Sequence, residues 1–244
     1  MRYSCIAALA LGTSLTAHAD IVSLTPVADA FVSSAQPAGN FGGAGALALA
    51  APGLPQGEFQ TLIRFDTGPA ISTFNASYGA GNWVITNISL VLTSTAPGNP
   101  IFNASAAGQF RLSWMQNDSW VEGTGGPGSP GATGINFQTL PSFLSPADES
   151  LGVFNYGGGT SGTVPINPAI TPALAGDVGL GGPVSFRLSP EGSSVAWVFN
   201  SRSFGTVASR PALLVTAVPA PASGALAAVS LLVGLRRRRT STIS

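Results

Sequence analysis

The chain of 244 residues contains ten arginines, no lysine and ten acidic residues, with a single cysteine and a single histidine. Cys5 and His18 both lie close to the N-terminus, so the rest of the chain excludes Ser-His-Asp and Cys-His catalysis, lysine Schiff-base chemistry and zinc sites built on histidine or cysteine. The 31 glycines and 19 prolines favour turns and short strands over long helices.

The N-terminal stretch MRYSCIAALALGTSLTAHAD has the three parts of a secretory signal peptide. Arg2 gives the positive start, residues 6–15 form the apolar segment, and Ala-His-Ala supplies the small residues that signal peptidase reads. Cleavage is predicted between Ala19 and Asp20, so that residues 1–19 are removed and the protein leaves the cytoplasm.

The segment 20–217 is predicted to fold as one all-β domain, a single jelly-roll-like β-sandwich. Short stretches within it alternate apolar and polar residues, or are rich in β-branched and aromatic residues, as strands are. These stretches are 27–33, 59–66, 83–95, 110–116, 150–156, 184–190, 195–202 and 211–218. The only helix predicted is a short turn over 170–177.

Alternation along a strand also predicts which residues share a face. In 83–95, the residues at even positions from 84 to 92 are predicted to point the same way. In 211–218, both faces are apolar enough to predict that both are covered or nearly so.

The domain holds five arginines and ten acidic residues, a formal charge of −5, which gives it no general attraction for nucleic acid. A buried arginine needs a carboxylate or carbonyl oxygens as partners. We therefore expect Arg64, Arg202 and Arg210 to make structural contacts, with Asp118 and Glu122 among the available partners.

Three side chains are candidates for contact with a ligand: Trp120, Arg111 and Arg187. Trp120 lies in the polar segment DSWVEGTG, which predicts an exposed indole on which a sugar ring could stack. The two arginines would favour an acidic polymer only if the fold brings them together. The glycine-rich segment 123–134 is either a rim beside a ligand or a plain connector.

A structural calcium ion is the one cofactor that the sequence suggests. Asp29 offers a carboxylate, and the backbone carbonyls of the turn 40–42 offer further oxygen atoms, the ligands that calcium prefers. The predicted site depends on this single carboxylate.

The last 27 residues combine prolines, an apolar run over 224–235 and an arginine cluster. The proline-containing start is Val218, Pro219, Ala220 and Pro221, and the cluster is Arg236, Arg237, Arg238 and Arg239. A helix over the apolar run would span roughly 18 Å, against roughly 30 Å of membrane hydrocarbon. The arginines would stay on the cytoplasmic side. The tail is predicted to act as a sorting signal that contacts the membrane transiently. The alternative is a simple C-terminal membrane anchor.

This tail, residues 218–244, resembles the PEP-CTERM sorting signals that exosortases recognise in Gram-negative bacteria. It departs from the family where Pro-Ala-Pro stands in place of Pro-Glu-Pro. The resemblance implies processing near Pro221 by an exosortase-like enzyme, and delivery to the cell surface or to the extracellular polymer.

Short motifs along residues 27–216 carry a second resemblance. They are ADAFVSSAQPAGNFGGAGALALA (28–50), LIRFD (62–66), NISLVLTST (87–95), DSWVEGTG (118–125), the segment 164–190, FNSR (199–202) and RPALLV (210–215). In this order they resemble the DNRLRE-domain family, secreted β-sandwich modules that include carbohydrate-binding members. The chain departs from that family at Ser203, in place of glutamate, and at Gly179 and Leu180, where a tryptophan is expected.

These features predict a secreted, non-catalytic protein of the cell surface or extracellular matrix of a Gram-negative-type bacterium, with polysaccharide as its ligand. One alternative is a glycoside hydrolase that uses two carboxylates, with Asp118 and Glu122 as the first pair to consider and Asp148, Glu149 and Glu191 as others. The other alternative is a structural or adhesive surface protein with no glycan ligand.

Overall fold

The computed structural model describes residues 18–98 and 101–221. Strands make up 42% of it and helices 13%, in two antiparallel sheets packed together, which confirms the predicted all-β sandwich. The predicted signal peptide up to residue 17 and the tail from residue 222 onward, with its apolar run and arginine cluster, lie outside the described residues. Among the described residues there is no helix with the length and hydropathy that crossing a membrane requires.

A small sheet and a large sheet form the two layers. The strands are β1 Asp20–Leu24, β2 Pro26–Ser33, β3 Ala46–Ala50, β4 Phe59–Asp66, β5 Trp83–Thr93, β6 Gly108–Met115, β7 Glu149–Tyr156, β8 Thr163–Ile166, β9 Pro183–Glu191, β10 Ala196–Asn200 and β11 Ala212–Pro219. The α-helices are α1 Gly68–Tyr78 and α2 Pro172–Leu180. The small sheet has the order β1-β11-β5-β8, and the large sheet the order β10-β3-β4-β9-β6-β7, with β2 also paired to β4.

The core lies between the two sheets. Ile88 and Leu90 of β5 and Val215 of β11 face Phe110 of β6 and Phe186 of β9, and all five side chains have no exposed surface. Burying a side chain of this size contributes about 1.5–3 kcal/mol. This core fixes which face of each strand points outward, and it thereby places every polar side chain discussed below.

All eight predicted strands are present, and the helix predicted at 170–177 is α2. The prediction that it was the only helix is wrong, because GPAISTFNASY forms α1, with a proline in its first turn and Ala70 and Phe74 buried against the core. Strands β1, β3 and β8 lie outside the eight predicted stretches. Alanine-rich β3 lacks the β-branched residues that indicate a strand, yet it is almost wholly buried.

Two predictions about strand faces are wrong. The register of β5 against β11 shifts at a bulge, so that Ile85 faces inward and Val84 faces outward, 42% exposed. An extra residue reverses the alternation beyond it, which a strict period of two cannot anticipate. In β11, Leu213 is fully buried while Leu214 and Thr216 are partly exposed, so only one face of this strand is covered.

Candidate ligand-binding site

The outer face of the large sheet is only partly covered. Trp120, Ile135 and Leu140, from the long connection between β6 and β7, pack on Leu62 and Met115 of the sheet. The rest of this face, across β4, β9, β6 and β7, carries polar side chains, with the 45% exposed Val153 of β7 among them. The division gives the sheet an apolar, covered part and a polar part beside it.

Arg111 and Arg187, the two predicted ligand arginines, lie together on this outer face. Arg111 of β6 is opposite Ser189 of β9, and Arg187 of β9 is opposite Ser113 of β6. Directly opposed residues share a face, and so do residues two apart along one strand. The two guanidinium groups are therefore diagonal neighbours, so the fold does bring them together, but each is paired with an acidic residue.

Arg187 is the fixed member of this pair. Its Nε donates a hydrogen bond to Oδ2 of Asp148 at 2.8 Å, and its Nη1 donates to Oε1 of Gln60 at 2.6 Å. The side chains of Arg187 and Asp148 are only 13% and 14% exposed. Gln60 in turn donates to Glu58. This bonded row holds the charged groups in one geometry next to the covered part of the sheet.

Arg111 is the more exposed member of the pair. Its Nε and Nη2 both donate to Oε2 of Glu191, at 3.0 and 2.9 Å, and the two side chains are 39% and 38% exposed. Gln109 donates to Asn155 at 3.3 Å on the neighbouring strand pair. We call the set formed by these side chains the polar band. Its members are Glu58, Gln60, Gln109, Arg111, Asp148, Asn155, Arg187, Ser189 and Glu191.

The expectation of an exposed Trp120 is wrong. The residue is 1% exposed, and its Nε1 donates to Oγ of Ser185 at 2.9 Å. The guanidinium of Arg64 lies 4.8 Å from the centre of the ring and donates to the Trp120 carbonyl at 2.8 Å. Ser119 and Val121 on either side of it are exposed, whereas the indole covers the sheet, so Trp120 offers no stacking face. Trp197 of β10 is also fully buried.

A second charged group closes the edge of the sandwich at β2. Glu122 accepts from Nε of Arg202 at 2.6 Å and from the backbone N–H of Asp29 at 3.0 Å, and its other oxygen pairs with Nη2 of Arg202. The backbone N–H of Arg202 donates to Oδ2 of Asp29 at 2.6 Å. As predicted, Arg202 makes structural contacts, and so do Arg64 and Arg210, which donates to the carbonyl of Phe204.

Asp29 is the strongly perturbed acid of this group. Burial raises its pKa to about 7, and the nearby negative charge of Glu122 acts in the same direction, against the hydrogen bond from Arg202. Its calcium site stays a prediction. Within 18–98 and 101–221 there is no group of three or more His, Cys, Asp or Glu residues that could hold a metal ion.

The turn 40–42, whose carbonyls belong to the predicted calcium site, also fastens the glycine-rich segment through the Asn40 side chain. Nδ2 of Asn40 donates to the carbonyls of Glu122 and Ile135, and its Oδ1 accepts from the N–H groups of Gly42 and Gly125. Side chains at the tightest positions would overlap backbone atoms. The glycines of 123–134 therefore serve close backbone packing.

An open groove of about 460 Å³ lies beside the glycine-rich segment, between residues 36–39 and 130–132. Its wall contains a single hydrogen-bonding side chain, that of Gln36.

The predicted catalytic pair Asp118 and Glu122 is divided between two environments. Glu122 is engaged by Arg202, whereas burial raises the pKa of Asp118 and the charge of Asp177 adds to that effect. Burial also raises the pKa of Asp177, whose Oδ2 accepts from Nε1 of Trp114 at 2.9 Å. Sequence reasoning missed Asp177, because α2 brings it to this end of the sheet from a distant part of the chain.

The residues of the two predicted processing sites lie side by side. Strand β1 begins at Asp20, which is opposite Ala217 of β11, and Ala220 donates to the carbonyl of Asn82 just beyond Pro219. Cleavage after Ala19 stays a prediction.

No known protein family matches the chain, and no curated protein does.

Proposed function

We propose that this chain is an exported, non-catalytic protein of the cell surface or extracellular matrix whose sandwich domain binds polysaccharide along the polar band. The observation that supports the proposal most directly is the placement of Arg111, Arg187 and their partners on one face. Guanidinium, carboxylate and amide groups arranged in a row are well suited to the hydroxyl groups of a sugar chain, since they include both donors and acceptors.

The charge of the band favours a neutral polysaccharide. Its two arginines stand against three acids, Glu58, Asp148 and Glu191, and both arginines are already paired. The whole domain carries −5. An acidic polymer would therefore meet repulsion, both locally and at long range.

The two ends of the chain support the parts of the proposal that concern export and surface location. An N-terminal signal peptide would export the protein, and the PEP-CTERM-like tail would direct it to the surface through an exosortase-like enzyme. The DNRLRE-like motifs support a secreted carbohydrate-binding-like module.

The polysaccharide proposal predicts that the variant Arg111→Gln/Glu191→Gln binds at least roughly 10-fold more weakly than the wild type, because it removes hydrogen bonds from charged groups, each contributing about 1.5–3 kcal/mol. The variant leaves the net charge unchanged. Binding of the purified full chain to neutral and acidic polysaccharides would be measured by titration calorimetry and affinity electrophoresis.

The matched control is Gln138→Ala, an exposed position on the covering connection, which should bind like the wild type. Saturable binding that both variants retain would place the ligand elsewhere. No binding to any polysaccharide would favour the structural or adhesive alternative.

A glycoside hydrolase is the second candidate, because Asp118 and Asp177 interact electrostatically and both have raised pKa values, as one member of an acid-base pair requires. This candidate predicts release of reducing ends that is lost in both Asp118→Asn and Asp177→Asn. If the wild type releases none from polysaccharides that it binds, the non-catalytic proposal stands.

A further inference from the structure

The outer face of the small sheet carries no charged side chain. Its members follow from the pairing register, since each is opposite or two residues along from another. They are Ile21, Ser23, Val84, Thr86, Asn87, Ser89, Val91, Thr93, Thr163, Pro165, Ala212, Leu214, Thr216 and Val218. All are apolar or uncharged polar residues. We call this set the neutral face.

The members of the neutral face are exposed or partly exposed, except Ser89, which is 5% exposed. Ile21 is 65% exposed and Val84 42% exposed, and Leu214 and Thr216 at its centre are partly exposed. The outer face of the large sheet differs in accessibility and in charge. The connection between β6 and β7 covers part of it, and the pairs Arg111–Glu191 and Arg187–Asp148 lie on another part. The small sheet is thus a layer with one buried and one open side.

The distribution of charge limits which partner fits this face. Five arginines and ten acids give the domain a charge of −5, and none of the fifteen is a member of the neutral face. Two copies of a domain with this charge repel each other in most orientations. Contact between their neutral faces brings no like charges together and leaves no charge desolvated. A polyelectrolyte or a strongly charged protein would form no ion pairs with such a surface.

The size of the face limits the strength of the contact. Four strands about 4.8 Å apart and about 20 Å long present roughly 400 Å² per copy, or roughly 800 Å² in total. Stable dimers bury about 1,200–2,000 Å². Two such faces packed together would make a weak complex that forms when the local concentration is high, as it is on a crowded surface.

Within the described residues, the chain enters and leaves at one end of the small sheet. The described residues begin at His18 and end at Pro221, and both ends lie at one end of the small sheet, where Asp20 is opposite Ala217 and Pro219 is opposite Trp83. Attachment through the tail would therefore hold the domain by an end of this sheet and keep its outer side available to a neighbour.

We propose that the neutral face is a self-association surface at which two copies of this chain pack sheet against sheet. The stacking is of the kind that forms the core of a β-sandwich, with an intersheet distance of about 10 Å. It is independent of polysaccharide binding, since the polar band lies on the other sheet.

The test is sedimentation equilibrium of the purified full chain, without polysaccharide, from about 10 µM to about 1 mM. We expect the average mass to rise toward that of a dimer in the upper part of this range. Thr216→Lys and Thr216→Glu should each remain monomeric, because each places like charges in the contact, and an equimolar mixture of the two should regain association. The regained association identifies contact between two neutral faces.

The control variant is Val121→Lys, a 64% exposed site outside the neutral face that changes the net charge by the same amount and should associate like the wild type. Asn87→Lys, opposite Thr216 and exposed, repeats the test if Thr216 variants unfold. A wild type that stays monomeric at about 1 mM overturns the proposal. So does association that Thr216→Lys and Asn87→Lys leave intact, which would assign it to another part of the chain.

Discussion

Replacing Gly125 by alanine is expected to lower the free energy of unfolding by about 3 kcal/mol. A Cβ at this position would overlap the carbonyl oxygen of Asn40 and the backbone nitrogen of Gly131. Neither atom can move without breaking the hydrogen bonds that Asn40 and Gly131 exchange, at 2.9 and 3.0 Å. The bond from Gly43 to the Gly125 carbonyl, at 2.8 Å, would be strained as well.

The chain offers a matched control in the same segment. At Gly128 an added Cβ has no heavy atom within 4 Å, so Gly128→Ala should change the stability by no more than about 0.5 kcal/mol. Urea unfolding followed by tryptophan fluorescence would measure both variants. Equal midpoints for Gly125→Ala and Gly128→Ala would show that the segment is a loose connector.

The second large effect concerns Asp29 and pH. Its pKa of about 7 in the folded protein lies above the unfolded value of about 3.9. Between these values the folded state binds a proton that the unfolded state has lost. The contribution of Asp29 to stability is therefore greatest below about pH 4, falls as the pH rises toward 7, and stays at its lowest above that. The difference is on the order of 2–4 kcal/mol.

Asp29→Asn should remove this dependence, because asparagine keeps an oxygen that accepts from the N–H of Arg202 and carries no charge to bury. At pH 8 the variant should be more stable than the wild type, and at pH 4 the two should be similar. Unfolding curves of both proteins from pH 4 to pH 9 would measure the difference. Asp118 and Asp177, whose pKa values are also raised, contribute equally to both proteins and cancel. Parallel pH profiles would mean that Asp29 is ionised in the fold at little cost.

Local pattern was enough to predict eight of the eleven described strands and the class of fold. The stretch 59–66 alternates and carries aromatic residues at both ends, and it forms β4 with the same bounds. Local pattern failed where the deciding contact was distant. Trp120 has polar neighbours in sequence, but Ser185 and Arg64, which bury it, come from β9 and β4.

The polar band illustrates the same limit. Nothing near Arg111 or Arg187 in sequence shows that β6 pairs with β9, and this pairing is what brings the two side chains together. Gln60 reaches Arg187 through another distant pairing, that of β4 with β9. Asn40 is similar, because an asparagine before two glycines predicts a turn, whereas its three bonds to Glu122, Gly125 and Ile135, in and beside the glycine-rich segment, depend on tertiary packing.

The antiparallel pairing of β1 with β11 has a mechanical consequence. Strand β11 lies between β1 and β5, and both run antiparallel to it. A force that pulled the two chain ends apart would break the β1–β11 hydrogen bonds one after another, since both ends lie at the same end of the sheet. A force between the C-terminal tail and a polymer held on the large sheet would instead load both ladders of β11 along their length, so that many bonds resist together. A domain tethered through its tail would therefore resist a pull on a polysaccharide bound as proposed better than a pull between its two chain ends.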